Sequence, residues 1–80
     1  MSGVDLDSLI ARRERQRRLP EPALRRALRE GAGLSQAEVA LVLGVDPATI
    51  SRYESGERSP RSATAERYAD VLDRLARVRR

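Results

Sequence analysis

A chain of 80 residues and 8.9 kDa, with 40% hydrophobic and 35% charged residues, is sized for one small domain with a modest core, and a second independent domain is not expected. Cysteine and histidine are absent, which excludes thiol nucleophiles, disulfides, cysteine/histidine zinc sites and the usual general base, so no enzyme, metal site or cofactor is expected. The formal net charge is +4 and all sixteen basic residues are arginine, while Tyr53 and Tyr68 are the only aromatic residues, too few to stack single-stranded bases.

Along the chain, Asp5 is placed to cap a helix bearing Leu6, Leu9 and Ile10 on one face, which runs into the basic cluster Arg12 to Arg18. Pro20 and Pro22 disfavour helix in the residues before them, so Leu19 to Glu21 reads as a joint, with Pro22 in the first turn of the next helix. Residues 1–19 are thus a basic N-terminal helix or arm, and residues 20–80 the main domain. Leu24, Ala27 and Leu28 give Ala23 to Glu30 a helical stripe, with Arg25, Arg26 and Arg29 between them, and Gly31 and Gly33 stop it. Ser35-Gln36-Ala37-Glu38 has the form of a capping box and opens a short helix to about Leu43. Gly44 is a turn residue, and Asp46-Pro47 pairs an N-cap with a first-turn proline for a helix that ends at Ser55-Gly56. After a polar loop containing Pro60, Ser62 is a candidate cap for a longer helix toward Arg80, with Tyr68, Val71, Leu72, Leu75 and Val78 on one side. No strand signal is present, and the fold class is all-α. The longest apolar runs, such as Val39 to Leu43, are too short to span a membrane, so a soluble cytoplasmic protein is expected.

Two short helices joined by Gly44-Val45-Asp46 have the connection of a helix-turn-helix. Val39, Leu43, Val45, Ile50 and Tyr53 are spaced to fill the angle between them, with the small Ala40 where the backbones meet. Pro47, Ala48, Ser51 and Arg52 are left on the outer face of the second helix. Short side chains there admit the helix to a major groove, and Arg52 is long enough to reach base edges.

The stretch Leu34-Ser35-Gln36-Ala37-Glu38-Val39-Ala40 through Leu43-Gly44-Val45, followed by Thr49-Ile50-Ser51-Arg52-Tyr53-Glu54-Ser55-Gly56, resembles the Cro/CI (XRE-type) helix-turn-helix family of phage and bacterial repressors over about residues 23 to 75. The resemblance implies a compact lambda-repressor-like bundle of about five helices, here with an extra N-terminal helix and a long C-terminal helix, binding double-stranded operator DNA as a homodimer. It also implies base reading by Pro47, Ala48, Ser51 and Arg52. Phosphate contacts would come from Ser35, Gln36, Thr49 and Ser55, Gln36 also bracing the recognition helix. Arg29 and Glu54 match a pair that forms a partly buried salt bridge in relatives. Arg58 and Arg61 are further phosphate candidates from their place in the following loop.

Two features depart from the family pattern. Leu41 and Val42 follow Ala40 where polar residues are usual, leaving three readings: cover by the N-terminal segment, cover by a second protein subunit or partner, or two exposed apolar residues of no consequence. The last helix lacks a glycine or proline break, and Val71, Leu75 and Val78 either pair with a symmetry mate or close the monomer core.

The charge distribution complicates the basic character. Residues 1–19 and 62–80 each hold five arginines and three acids, whereas residues 20–61 hold six of each, so the reading core is neutral. The Arg12 to Arg18 cluster is either an arm on DNA or the solvated face of a helix. The arginine-only composition itself has two sources, phosphate and guanine binding or the codon usage of a GC-rich genome. The leading functional reading is a sequence-specific double-stranded DNA-binding regulator of transcription, and the second a protein-interaction module such as an antitoxin or adaptor docking through Leu41 and Val42.

Overall fold

A computed structural model describes residues 5–17 and 19–78, with the side chains of residues 12 and 15–17 outside the description. Among the described residues five helices follow one another: α1 (Leu6–Arg17), α2 (Pro22–Gly31), α3 (Gln36–Leu43), α4 (Pro47–Ser55) and α5 (Ser62–Ala76). No strand occurs among the described residues, and no helix is long and apolar enough to cross a membrane.

The core forms where α3, α4 and α5 converge. Val39, Ala40, Leu43, Ile50, Tyr53, Tyr68 and Leu72 are buried together, and Leu28, Leu34, Val45, Val71 and Leu75 pack around them. Ala40 is almost wholly enclosed, consistent with a close approach of the motif helices. The Tyr53 and Tyr68 rings lie 5.4 Å apart at 34°, a tilted arrangement that joins α4 to α5 by more than burial area alone.

Helix α2 faces this core with a polar stripe. Arg25 and Arg29 are its buried residues and Leu28 packs on the core, whereas Leu24 is half exposed and Ala27 is exposed, so of the apolar stripe only Leu28 turns inward. The buried arginines have a physical reason: both guanidiniums satisfy carbonyl or carboxylate acceptors inward, which an apolar side chain would leave unpaired.

Helix α1 packs against α5 rather than over α3. Leu41 and Val42 therefore stay 83% and 61% exposed, and cover by the N-terminal helix is ruled out as their explanation. Asp5 caps α1 by accepting the Ser8 N–H at 2.7 Å, and that bond holds its carboxyl below the usual range. Leu6, Leu9 and Ile10 remain substantially exposed.

At 15 residues α5 is the longest helix, unbroken as its sequence suggests, but it ends at Ala76 with Arg77 as its C-cap. Val71 and Leu75 join the monomer core, whereas Val78 is 49% exposed and gains too little burial to offset the ordering of another turn. Residues 79 and 80 lie outside the description. Ser62 is the first helical residue of α5 rather than its cap. Its φ is +49°, the cap position falls to Arg61, and no side chain closes that helix start.

Candidate nucleic-acid interface

Local sequence chemistry sets the angle of the two motif helices. The Ser35 hydroxyl accepts the Glu38 N–H at 3.0 Å while the Glu38 carboxylate accepts the Ser35 N–H at 2.8 Å, completing the capping box that opens α3. Gly44 then takes φ 72°, a left-handed conformation that ends the helix, and Val45 N–H donates back to Ala40 O at 3.0 Å. Asp46 starts α4 by accepting both the Thr49 N–H at 2.9 Å and the Thr49 hydroxyl at 3.1 Å. Hydrogen bonding from Ser35 and from Thr49 holds the Glu38 and Asp46 carboxyls below their ordinary values.

With Ile50 and Tyr53 buried, the opposite face of α4 presents Pro47, Ala48, Ser51 and Arg52 to solvent together. The Arg52 side chain is 46% exposed, and its Nε lies 3.8 Å from the Glu57 carboxylate, a loose surface pair that water or a base can displace. Arg58 and Arg61, both exposed, line a cavity of about 480 Å³ beside this helix with Tyr53, Glu57, Ser59 and Thr64. Gly56 makes the exit from α4 at φ 81°, and a side chain there would also meet Pro22 Cγ at 3.4 Å.

The expected phosphate contacts divide by where their protons go. Ser35 uses only its oxygen as an acceptor, leaving its O–H for a ligand. The Thr49 hydroxyl donates to Asp46 and the Ser55 hydroxyl donates to Arg52 O at 3.1 Å, so in the free protein both protons serve the ends of α4. Gln36 Nε2 donates to Glu54 Oε1 at 3.1 Å, which braces α3 against α4 and leaves its second N–H unspent.

Behind the exposed face lies a charged network. Arg29 donates to Glu54 in bidentate fashion, Nε to Oε2 at 2.6 Å and Nη2 to Oε1 at 3.0 Å, and its Nη1 donates to Leu34 O at 2.8 Å. Both side chains of the pair are at least nine-tenths buried. The hydrogen bond to Glu54 raises the Arg29 pKa above its ordinary value. Burial, with the Glu54 charge second, pushes the nearby Tyr68 phenol up to about 12.

Arg25 and Arg67 were not legible as site-building residues in the sequence. Arg25 donates from Nε to Pro20 O at 2.7 Å and from Nη1 to Tyr53 O at 3.1 Å, linking the interhelical joint to α4. Its position four residues before Arg29 places both on one face of α2, the one signal available in advance. Arg67 Nη2 donates to Val42 O at 2.9 Å, offering a cation to the carbonyl end of α3, a pairing across 25 residues with no local signature. Of the Arg12 to Arg18 cluster, the side chains of residues 12 and 15–18 lie outside the description.

A family model described as helix-turn-helix matches residues 26–76. Proteins named antitoxin HigA1, from two strains of Mycobacterium tuberculosis, CDC 1551 / Oshkosh and ATCC 25618 / H37Rv, are each 42% identical to this chain over 65 residues, or 81% of its length. That match covers 42% of each relative, so the chain spans about two fifths of the length of the curated proteins it resembles. No solved structure matches significantly.

Proposed function

Because the chain belongs to the Cro/CI (XRE-type) helix-turn-helix family of DNA-binding regulators, we propose that it acts in the cytoplasm as a repressor, binding a palindromic operator as a homodimer. The observation carrying this reading is the joint exposure of Pro47, Ala48, Ser51 and Arg52 on a recognition helix whose other face is locked into the core. Arg52 donates two parallel hydrogen bonds to guanine, and Ala48 packs on a thymine methyl. Ser35, the second Gln36 N–H, Arg58 and Arg61 hold the flanking phosphates, with Thr49 and Ser55 joining only if their hydroxyl protons turn from α4 to the backbone. The Arg29 and Glu54 pair takes no part in reading and fixes the helix that reads. Two copies double the contact with DNA and set half-sites about one helical turn apart.

Selection of bound duplexes from a random pool tests the proposal. An inverted repeat with a guanine at a fixed place in each half-site is expected. Recovery of no shared motif, or of a single unrepeated half-site, would remove the sequence reader or the homodimer respectively.

A second reading is favoured by one specific observation, the exposed pair Leu41 and Val42 on α3 of a chain whose relatives are named antitoxins. On that reading these side chains dock a protein partner, a toxin by analogy with the relatives, while α4 stays free for DNA. Leu41→Asp and Val42→Asp then abolish partner capture and leave duplex affinity unchanged. Loss of DNA affinity in the same variants would place the patch in the DNA-bound dimer instead.

A further inference from the structure

The buried charges of this domain do not balance. Among the described residues three charged side chains are buried, Arg25, Arg29 and Glu54, and the one carboxylate of the three is engaged by Arg29 and Gln36. Arg25, 8% exposed, forms no ion pair among the described residues; its Nε and Nη1 donate to neutral carbonyls, and its Nη2 keeps solvent contact, since no buried side-chain donor is left without a partner there. Removing an uncompensated guanidinium from water is costly unless an anion accompanies it.

Arg25 lines a cavity of about 330 Å³ between the start of α2 and the loop from α4 to α5, completed by Leu19, Ser59, Pro60 and Arg61. No carboxylate is among its described lining residues. Arg25 and Arg61, both permanently charged, and Ser59 therefore contribute to the lining of a space at the lower end of small-molecule sites, and guanidinium donors suit phosphate oxygens. We infer that this cavity binds a small free phosphate monoester or inorganic phosphate, held by Arg25, Arg61 and the Ser59 hydroxyl.

A dianion matches the two guanidiniums, whereas a DNA phosphodiester carries one charge, and Arg25 is too enclosed for the duplex backbone to reach. The same Arg25 holds Tyr53 O, so the occupant acts directly on the C-terminal half of the recognition helix. The inference shares Arg61 with the proposed DNA backbone contacts but does not rest on them and survives if that reading fails.

The test uses the full chain with inorganic phosphate as probe and sodium chloride at matched ionic strength as control, followed by thermal melting and phosphorus NMR line width. A saturable rise in Tm with phosphate alone is expected, together with broadening of the phosphate signal. Arg61→Gln and Ser59→Ala alter exposed residues; they should melt like the parent in chloride, with phosphate affinity weakened about tenfold or more in Arg61→Gln. Because Arg25→Met threatens folding, Arg61→Gln carries the decision. Equal responses to phosphate and chloride, or an identical phosphate response in parent and Arg61→Gln, would overturn the site. So would a loss confined to duplex binding with no free-phosphate signal in either protein, since that assigns Arg61 to the DNA backbone.

Discussion

Replacing Glu54 by alanine removes the carboxylate that Arg29 and Gln36 share, the one buried carboxylate among the described residues. Arg29 would keep its bond to Leu34 O but lose both bonds to the carboxylate, and Gln36 would lose its acceptor. Breaking a buried pair from one side costs about 3–5 kcal/mol. A domain of this length has a total stability of about 4–12 kcal/mol, so Glu54→Ala should consume much of the margin and lower Tm by well over 10 °C. The charge arrangement adds a sharper expectation. Arg29→Met leaves Glu54 with Gln36 as its donor, whereas Glu54→Ala leaves a second buried guanidinium without an anion, so Glu54→Ala should be the more damaging of the two. The double variant Arg29→Met with Glu54→Leu should recover part of the loss, because apolar replacement of both partners removes the desolvation cost. Circular dichroism melts and urea titrations of the three variants read these differences. A Glu54→Ala protein within about 1 kcal/mol of the parent would refute the proposition that the network ties α2 and α3 to α4, since that is the scale of an exposed pair.

Other perturbations separate the remaining roles. Asp46 and Glu38 have depressed folded-state pKa values, so their capping contribution is present above the unfolded values of 3.8 and 4.5 and lost as pH falls through the folded values. Asp46→Asn should flatten the acid limb of a pH–Tm profile, and an unchanged limb would separate the cap from acid stability. Tyr68 has the opposite sign, because its folded pKa is raised from 10.0 to about 12, so its contribution is full below pH 10 and lost as pH climbs toward 12. With no lysine or cysteine to titrate there, tyrosinate absorbance should show a late phase that Tyr68→Phe removes. Glu57→Gln frees Arg52 from a neighbouring carboxylate and should strengthen binding to random duplex modestly; weaker binding would mean that Glu57 positions Arg52 for the contact.

The helix order could be read from residues whose chemistry is local. The Ser35 and Glu38 box, the left-handed Gly44 and the Asp46-Pro47 start all act within a few residues, and the structure places each where the spacing puts it. What depends on distant partners was not legible. Arg25 resembles any surface arginine on an amphipathic helix until Pro20 O and Tyr53 O are brought to it, and apolar spacing marks Leu24, Ala27 and Leu28 alike without showing that only Leu28 meets the core. The exposure of Leu41 and Val42 likewise depended on α1 choosing α5 over α3, a decision between two apolar surfaces that periodicity does not distinguish. For the candidate interface, the exposed face of α4 followed from the buried positions of Ile50 and Tyr53. The commitment of the Thr49 and Ser55 protons to the helix ends required the geometry.

The proposal that Arg52 on α4 reads sequence is decided by measuring duplex affinity for the parent and Arg52→Ala on a selected operator and on a scrambled duplex at one fixed salt concentration. Arg52→Ala should lose about 1–3 kcal/mol on the operator, change little on the scrambled duplex and tolerate replacement of one base pair per half-site. Identical affinities of the two proteins on both duplexes would contradict the claim.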